Sequence, residues 1–185
     1  MNTKGREKLR NCILYFLEHI NNVHLGRTKL MKLLYYVDFD HYEKHERSVT
    51  GATYRKLPHG PVPDEAQSLI DQMVATREIR EFSAPRHTYT QRRLATVTAA
   101  FDASVLSADE LMALQAVAQR WEDATASEIE AASHAEAPWQ ATAEGKRIDD
   151  ELACLRMPEG WTEAEERLVK SPQFRRYVVS LGAPA

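Results

Sequence analysis

The sequence predicts an α+β fold, predominantly helical, with helices packed around a small antiparallel β-sheet or hairpin. It reads as a single domain with a helical C-terminal extension. Three observations predict this. Apolar residues recur at three- and four-residue steps in two consecutive N-terminal segments, as on the buried face of amphipathic helices. Between residues 49 and 94, β-branched and aromatic residues fall in short runs punctuated by Gly and Pro, the pattern of strands and turns. Further on, Ser/Thr-x-x-Glu helix-start signals recur at Ser107, Thr125 and Thr162.

In the first segment Leu9, Cys12, Ile13, Phe16, Ile20 and Val23 share one helical face, with Lys8, Asn11, Glu18 and Asn22 largely away from it. Gly26 stops that helix, and Thr28 is a plausible N-cap for the next. The second helix is predicted over about 29–44. Leu30, Leu33, Leu34 and Val37 form its apolar face, and Lys29, Lys32, Tyr36, Asp40 and Glu43 the opposite one. So wide a stripe places this helix centrally in the core. At about 100° per residue, Asp38, His41 and His45 continue the buried stripe toward the helix end.

Residues 49–57 read as a short β segment, Pro58-His59-Gly60-Pro61 as a turn, and Pro63 as a first-turn residue of a helix over about 64–76. The runs 78–82 and 86–94, with Pro85 between them, predict a hairpin. Ser107 and Glu110 open a helix with Leu111, Leu114, Ala118 and Trp121 on one side. Thr125 and Glu128 open a shorter helix ending near Ser133-His134, and Pro138 opens a turn of helix carrying Trp139 and closed by Gly145. Beyond Pro158, a capping box at Thr162 and an amphipathic piece over 174–181 form the extension.

Composition narrows the function classes. The 185 residues, 43% hydrophobic and 28% charged, suit one good-sized globular domain that needs neither disulfide nor metal to fold. A net charge of −3 gives no global field toward nucleic acid. Cys12 and Cys154 match neither a disulfide framework nor a zinc pattern. The apolar stretch 12–17 is too short for a signal peptide, and no run reaches the ~20 apolar residues needed to span a bilayer, so a cytoplasmic location is expected. No Walker loop, nucleophile elbow, His-Glu-x-x-His or dinucleotide fingerprint is present, so neither an enzyme nor a cofactor is expected.

Several groups stand out chemically. Asp38, His41 and His45 carry the residue types of a zinc or iron site or of an acid–base pair, against the plainer reading that they end the core stripe and bond the neighbouring turn. Gly60-Pro61-Val62-Pro63 lacks the glycines and lysine of a phosphate loop and reads as a backbone element aiming a strand into a helix. His134 and Trp139 offer a binding pocket, against the plainer reading of Trp139 beside Pro138 as a core anchor with its N–H satisfied. The stretch 86–93 is basic with an interleaved aromatic, and its alternation splits Arg86 and Arg92 from Tyr89 and Arg93. Phe174, Arg175, Arg176 and Tyr177 combine the aromatic and arginine anchors enriched in protein–protein hot spots.

The helix over 28–41, Thr28-Lys29-Leu30-Met31-Lys32-Leu33-Leu34-Tyr35-Tyr36-Val37-Asp38-Phe39-Asp40-His41, is followed by Val49-Thr50-Gly51-Ala52-Thr53-Tyr54 and His59-Gly60-Pro61-Val62-Pro63. Downstream come Ser133-His134-Ala135-Glu136-Ala137-Pro138-Trp139 and Gly145-Lys146-Arg147-Ile148. This ordered set resembles the Panacea domain of the SocA-like antitoxins of prokaryotic type II toxin–antitoxin systems. The resemblance spans roughly residues 9–154, which implies a Panacea domain over 1–157 and a helical extension over 158–185. After Ile148 the family often continues with Pro and an aromatic, whereas this chain has Asp149-Asp150.

The resemblance implies structural or interface roles for Lys29, Leu33, Tyr35, Asp38, His41, Gly60, Pro61, Val62, Ser133, His134 and Trp139. It implies an antitoxin that binds and neutralises a toxin encoded beside it, with a cytosolic protease as a further partner if the chain serves as an adaptor. Arg86, Tyr89, Arg92, Phe174, Arg175, Arg176 and Tyr177 are the residues expected to meet the toxin. A rival reading is a DNA-binding regulator of its own operon, drawn from Arg27, Lys29, Lys32 and the 86–93 stretch; the acidic balance and the lack of a recognition helix oppose it. A third is a metal-dependent hydrolase using Asp38, His41 and His45.

Overall fold

The side chain of Asn2 accepts from Gly5 N–H at 2.7 Å and so caps the first helix, α1 (Thr3–His19), in a computed structural model that describes residues 1–20, 23–85, 90–156 and 171. Leu9, Cys12, Ile13 and Phe16 are fully buried, as their spacing predicts. Val23 is not: α1 ends at His19, and the residue lies past it, 48% exposed. Asn11, expected away from the core, is buried because both ends of its amide are used. Its Nδ2 donates to Glu7 O at 3.1 Å and its Oδ1 accepts from Asp102 N at 2.9 Å.

Helix α2 (Arg27–His45) starts on Gly26 rather than on Thr28, with no side-chain cap, and closes on Glu46 in the left-handed conformation. It runs through the middle of the molecule, packed by α1, by α4 (Ala108–Trp121), by α5 (Ala126–Ala135), by strand β2 (Gly60–Pro63) and by a 3-10 segment over Asp150–Leu155. The apolar stripe therefore understated its burial. Lys29, Lys32 and Tyr36, placed by periodicity on an opposite face, are also buried, because that face is covered too.

Strand β1 (Tyr54–Leu57) is shorter than the predicted 49–57 segment. Thr50 is withdrawn from strand pairing: its N–H and hydroxyl both turn to Asp38. The hairpin turn is Pro58-His59, so Gly60 and Pro61 begin β2 instead of completing the turn. Gly60 has φ +102, and a Cβ there would press on Lys32 Cε and stand 3.1 Å from Ser133 Oγ; both conditions demand glycine. Pro61 and Pro63, which cannot donate to a ladder, fit because β2 is the edge of a sheet ordered β2-β1-β5. That third strand, β5 (Arg147–Ile148), carries no pattern of its own and exists through pairing with Tyr54 and Arg55.

Helix α3 (Ala66–Ala75) starts two residues later than predicted, since Asp64 N–H is held by Thr53 O at 2.9 Å and Pro63 remains in β2. The predicted hairpin is present as β3 (Ile79–Pro85) and β4 (Thr90–Thr96), with Pro85 paired to Thr90 inside the ladder rather than between the runs. The capping boxes at Ser107/Glu110 and Thr125/Glu128 are both formed. Helix α6 (Ala137–Ala141) has Pro138 in its first turn but ends at Thr142; Gly145, at φ +74, serves the turn into β5. Asp149 accepts from Glu151 N–H at 3.1 Å and caps the 3-10 segment. The architecture is thus α+β and mostly helical. Among the described residues no helix is long and apolar enough to cross a membrane. The 158–185 extension apart from Ser171, including the candidate residues Phe174, Arg175, Arg176 and Tyr177, lies outside the described residues, as do Arg86 and Tyr89.

Candidate functional site

Helix α2 carries a polar group at nearly every turn, and each is answered from a different neighbour. Lys29 Nζ donates to Glu122 O at 2.7 Å. Lys32 Nζ donates to Pro61 O across a longer 3.4 Å. One turn on, Tyr35 OH donates to Glu136 Oε2 at 2.7 Å. Asp38 is fully buried: its Oδ1 accepts from Thr50 N at 2.7 Å, and its Oδ2 accepts from Thr50 Oγ1 at 2.5 Å and Tyr54 OH at 2.8 Å. His41 Nδ1 bonds Arg47 O at 2.6 Å. Leu33, on the opposite side, is fully buried in the apolar core.

These contacts overturn the three-residue metal reading. Both Asp38 oxygens are engaged by Thr50 and Tyr54, His45 is exposed instead of buried, and no three His, Cys, Asp or Glu side chains are placed to hold a metal among the described residues. Burial raises the Asp38 pKa, against the lowering effect of its hydrogen bonds. Its role is to pin the 49–54 segment to α2, which fixes the start of β1.

Lys32 shows the reverse balance. Burial pushes its pKa down to about 8, only partly opposed by Glu130. Because the folded-state pKa lies below the unfolded value near ~10.4, the folded protein binds fewer protons than the unfolded chain between about pH 8 and pH 10. Stability contributed by this residue therefore rises across that window. Lys32→Met is expected to raise stability at pH 7 by about 1–3 kcal/mol and to flatten that rise. Urea melts at pH 7 and pH 9.5 check it; an unchanged or lowered midpoint at pH 7 refutes it.

Gly60 and Pro61 of β2, followed by the half-buried Val62, sit over Lys32 with Ser133 of α5, whose hydroxyl donates to Glu130 O at 2.8 Å. The next residues turn outward. His134 stacks on Trp139 with ring centroids 4.1 Å apart and planes 11° from parallel, and Lys56 Nζ lies 4.5 Å from the indole centroid. Lys56 Nζ also donates to Trp139 O and Thr142 O, each at 2.9 Å, which ties β1 to α6. Trp139 is therefore a half-buried bracket between the hairpin and the α5–α6 corner. Burial, aided by Lys32, Lys56 and His59, holds His134 below the usual histidine range.

Two residues central to this arrangement were not singled out from the sequence. Glu136, at the α5–α6 junction, accepts from Tyr35 and from Arg156 Nη2 at 2.8 Å. Arg156 in turn bonds Asp40 at 2.6 Å and lies 3.7 Å from Glu43, its guanidinium 5.5 Å from the Tyr36 ring centroid. Glu136 lies within the quoted Ser133–Trp139 element, so its position was legible; nothing near Arg156 marked it. Of the residues expected to meet a toxin, Arg92 is the one described. It is exposed on β4 and bonds Glu81 at 2.5 Å, alongside Arg27 on the same carboxylate.

Fold and site together define a mostly helical module whose central helix is tied by buried polar contacts to an edge hairpin and to a helical corner. The family described as antitoxin SocA-like, Panacea domain, matches residues 30–140, more than half of the chain, and the chain belongs to that family. The match runs from the body of α2 to α6 and covers the Asp38, Lys32, Gly60 and Trp139 contacts. No curated protein and no solved structure matched the chain.

Proposed function

We propose that this protein is a cytoplasmic antitoxin that neutralises a cognate toxin encoded beside it by direct protein–protein binding, without catalysis or a cofactor. Membership of the antitoxin family over residues 30–140 carries the reading. The polar groups of α2 favour a scaffold role, since Asp38, Tyr35 and Lys29 are each answered inside the molecule. The Panacea domain is assigned to 1–157 on the same ground, with 158–185 as its extension.

The exposed arginines of the β3–β4 hairpin, one on each side of the ladder, are assigned to the toxin. Arg80 lies over the Phe82 ring, with Arg93 opposite Phe82 on β4, and Arg92 is exposed on the other face of the ladder. Arginine and aromatic residues held by a strand pair are the side chains that dominate binding energy at interfaces. Their charge suits an acidic patch on the partner.

The test is growth rescue and co-purification with the product of the adjacent open reading frame. That product is expected to arrest growth alone, and this protein to restore growth and to co-purify with it. Arg80→Glu with Arg92→Ala is expected to weaken the complex at least about tenfold, with the thermal midpoint little changed because Arg27 still pairs with Glu81. A harmless neighbour, or rescue without a complex, sinks the direct-binding reading. An intact complex in the double variant sinks only the choice of surface. A steep salt-dependent shift with promoter DNA in place of a complex would favour the DNA-binding regulator.

A further inference from the structure

The C-terminal half of α2 and the first turns of α4 leave a groove of about 230 Å³ between them, lined by Asp40, His41, Lys44, His45, Asp109 and Met112. His41 is 1% exposed. Its Nδ1 faces a carbonyl oxygen, Arg47 O, at 2.6 Å, so Nδ1 carries the hydrogen. Nε2 is then a lone-pair acceptor, buried and with no hydrogen-bond partner among the described residues, in a side chain that lines the groove. A buried acceptor left unpaired is a standing penalty in the free molecule. His45 follows four residues later on the same helical face, exposed, its ring centroid 4.4 Å from that of His41.

We propose that this groove binds a borderline divalent transition-metal ion through His41 Nε2 and His45, with water completing the coordination shell. Neutral imidazole suits zinc, copper and nickel better than it suits magnesium or calcium. A histidine whose other nitrogen donates to a backbone carbonyl is oriented for ligation, since that bond fixes both tautomer and ring direction. No third His, Cys, Asp or Glu converges with the pair among the described residues, so the site offers two protein ligands and exchanges its ion, unlike a closed structural zinc site.

The charges around the pair are Asp40 and Lys44 on α2, Asp109 and Glu110 on α4, and Arg47 beyond the helix end. Asp40 is engaged by Arg156, and Glu110 by Lys8. Asp109 supplies negative charge to the groove lining and Lys44 opposes it. Burial lowers the His41 pKa, which keeps its lone pair available in neutral solution. This site is independent of the toxin reading and of the residues assigned to it.

Titration calorimetry of the full chain, free of any histidine tag, with zinc chloride at pH 7.5 tests the inference. One equivalent is expected to bind and to raise the thermal midpoint through linkage. His45→Ala, at an exposed position, is expected to leave the zinc-free midpoint unchanged, to weaken binding at least about tenfold and to abolish the zinc-dependent rise. Cys154→Ser is expected to bind as the parent does. Absence of a saturable zinc isotherm overturns the proposal, as does a His45→Ala variant that binds as tightly as the parent.

Discussion

Asp38→Ala is expected to lower folding stability by about 3–5 kcal/mol, because buried donors left unpaired cost about 1–3 kcal/mol each. The carboxylate takes bonds from Thr50 N–H, Thr50 Oγ1 and Tyr54 OH, all in the interior. Tyr54 OH also lies 2.8 Å from Leu34 O and Thr50 Oγ1 accepts from Ala52 N–H, so the two hydroxyls retain some pairing; the Thr50 N–H does not. Relief from burying a charge offsets part of the loss, since burial raises the carboxyl pKa. Asp38→Asn should lose about half as much, because its oxygen still accepts from Thr50 N–H while the hydroxyls rotate to accept from its amide. Denaturant melts of both variants decide the matter. Equal losses would mean that a pure packing defect, and not donor satisfaction, sets the effect.

Arg156→Ala is the second large effect, again about 3–5 kcal/mol, the penalty for breaking a buried ion pair from one side. Arg156 is 6% exposed and holds Glu136 and Asp40 through the same Nη2, at 2.8 and 2.6 Å. Without it Glu136 keeps the Tyr35 hydroxyl but loses its counter-charge. Burial already raises the Glu136 pKa. For an acid whose folded pKa lies above its unfolded value, the folded state holds more protons. Stability is then greatest at low pH and falls as pH rises through the folded pKa. Removing Arg156 takes away the opposing charge, so that fall becomes deeper: the variant should be closest to the parent near pH 5 and furthest from it near pH 8. Arg156→Met combined with Glu136→Gln removes both charges and should recover most of the loss. A pH-independent deficit, or a double variant as unstable as the single, would show that Arg156 acts through packing alone.

How much of this was legible depends on the range of the interaction. The capping boxes at Ser107 and Thr125 were readable because the reciprocal bonds span three residues. The β3–β4 hairpin was readable because its two runs are adjacent in the chain. Strand β5 was not, because its two residues become a strand only by meeting Tyr54 and Arg55 far upstream. In the candidate site, Asp38 and His41 were visible as polar residues on an apolar stripe, but their partners were not. A second helical face that packs on α5 and the hairpin looks, in sequence, like one that faces water.

What the sequence determined by itself was local or cumulative: helix periodicity, caps, the hairpin, the mostly helical α+β class, and the ordered motif set that places the chain in its antitoxin family. What the tertiary structure alone decided was the state of each charge. The fold chose which face of α2 is enclosed, pressed Gly60 and Pro61 onto Lys32, drew Arg156 back to Glu136 and Asp40, and left His41 Nε2 buried without a partner among the described residues. The physical reason is that hydrogen bonding along a helix or a turn is set by neighbours in sequence. Desolvation and Coulomb energy are set by whatever the rest of the chain brings near.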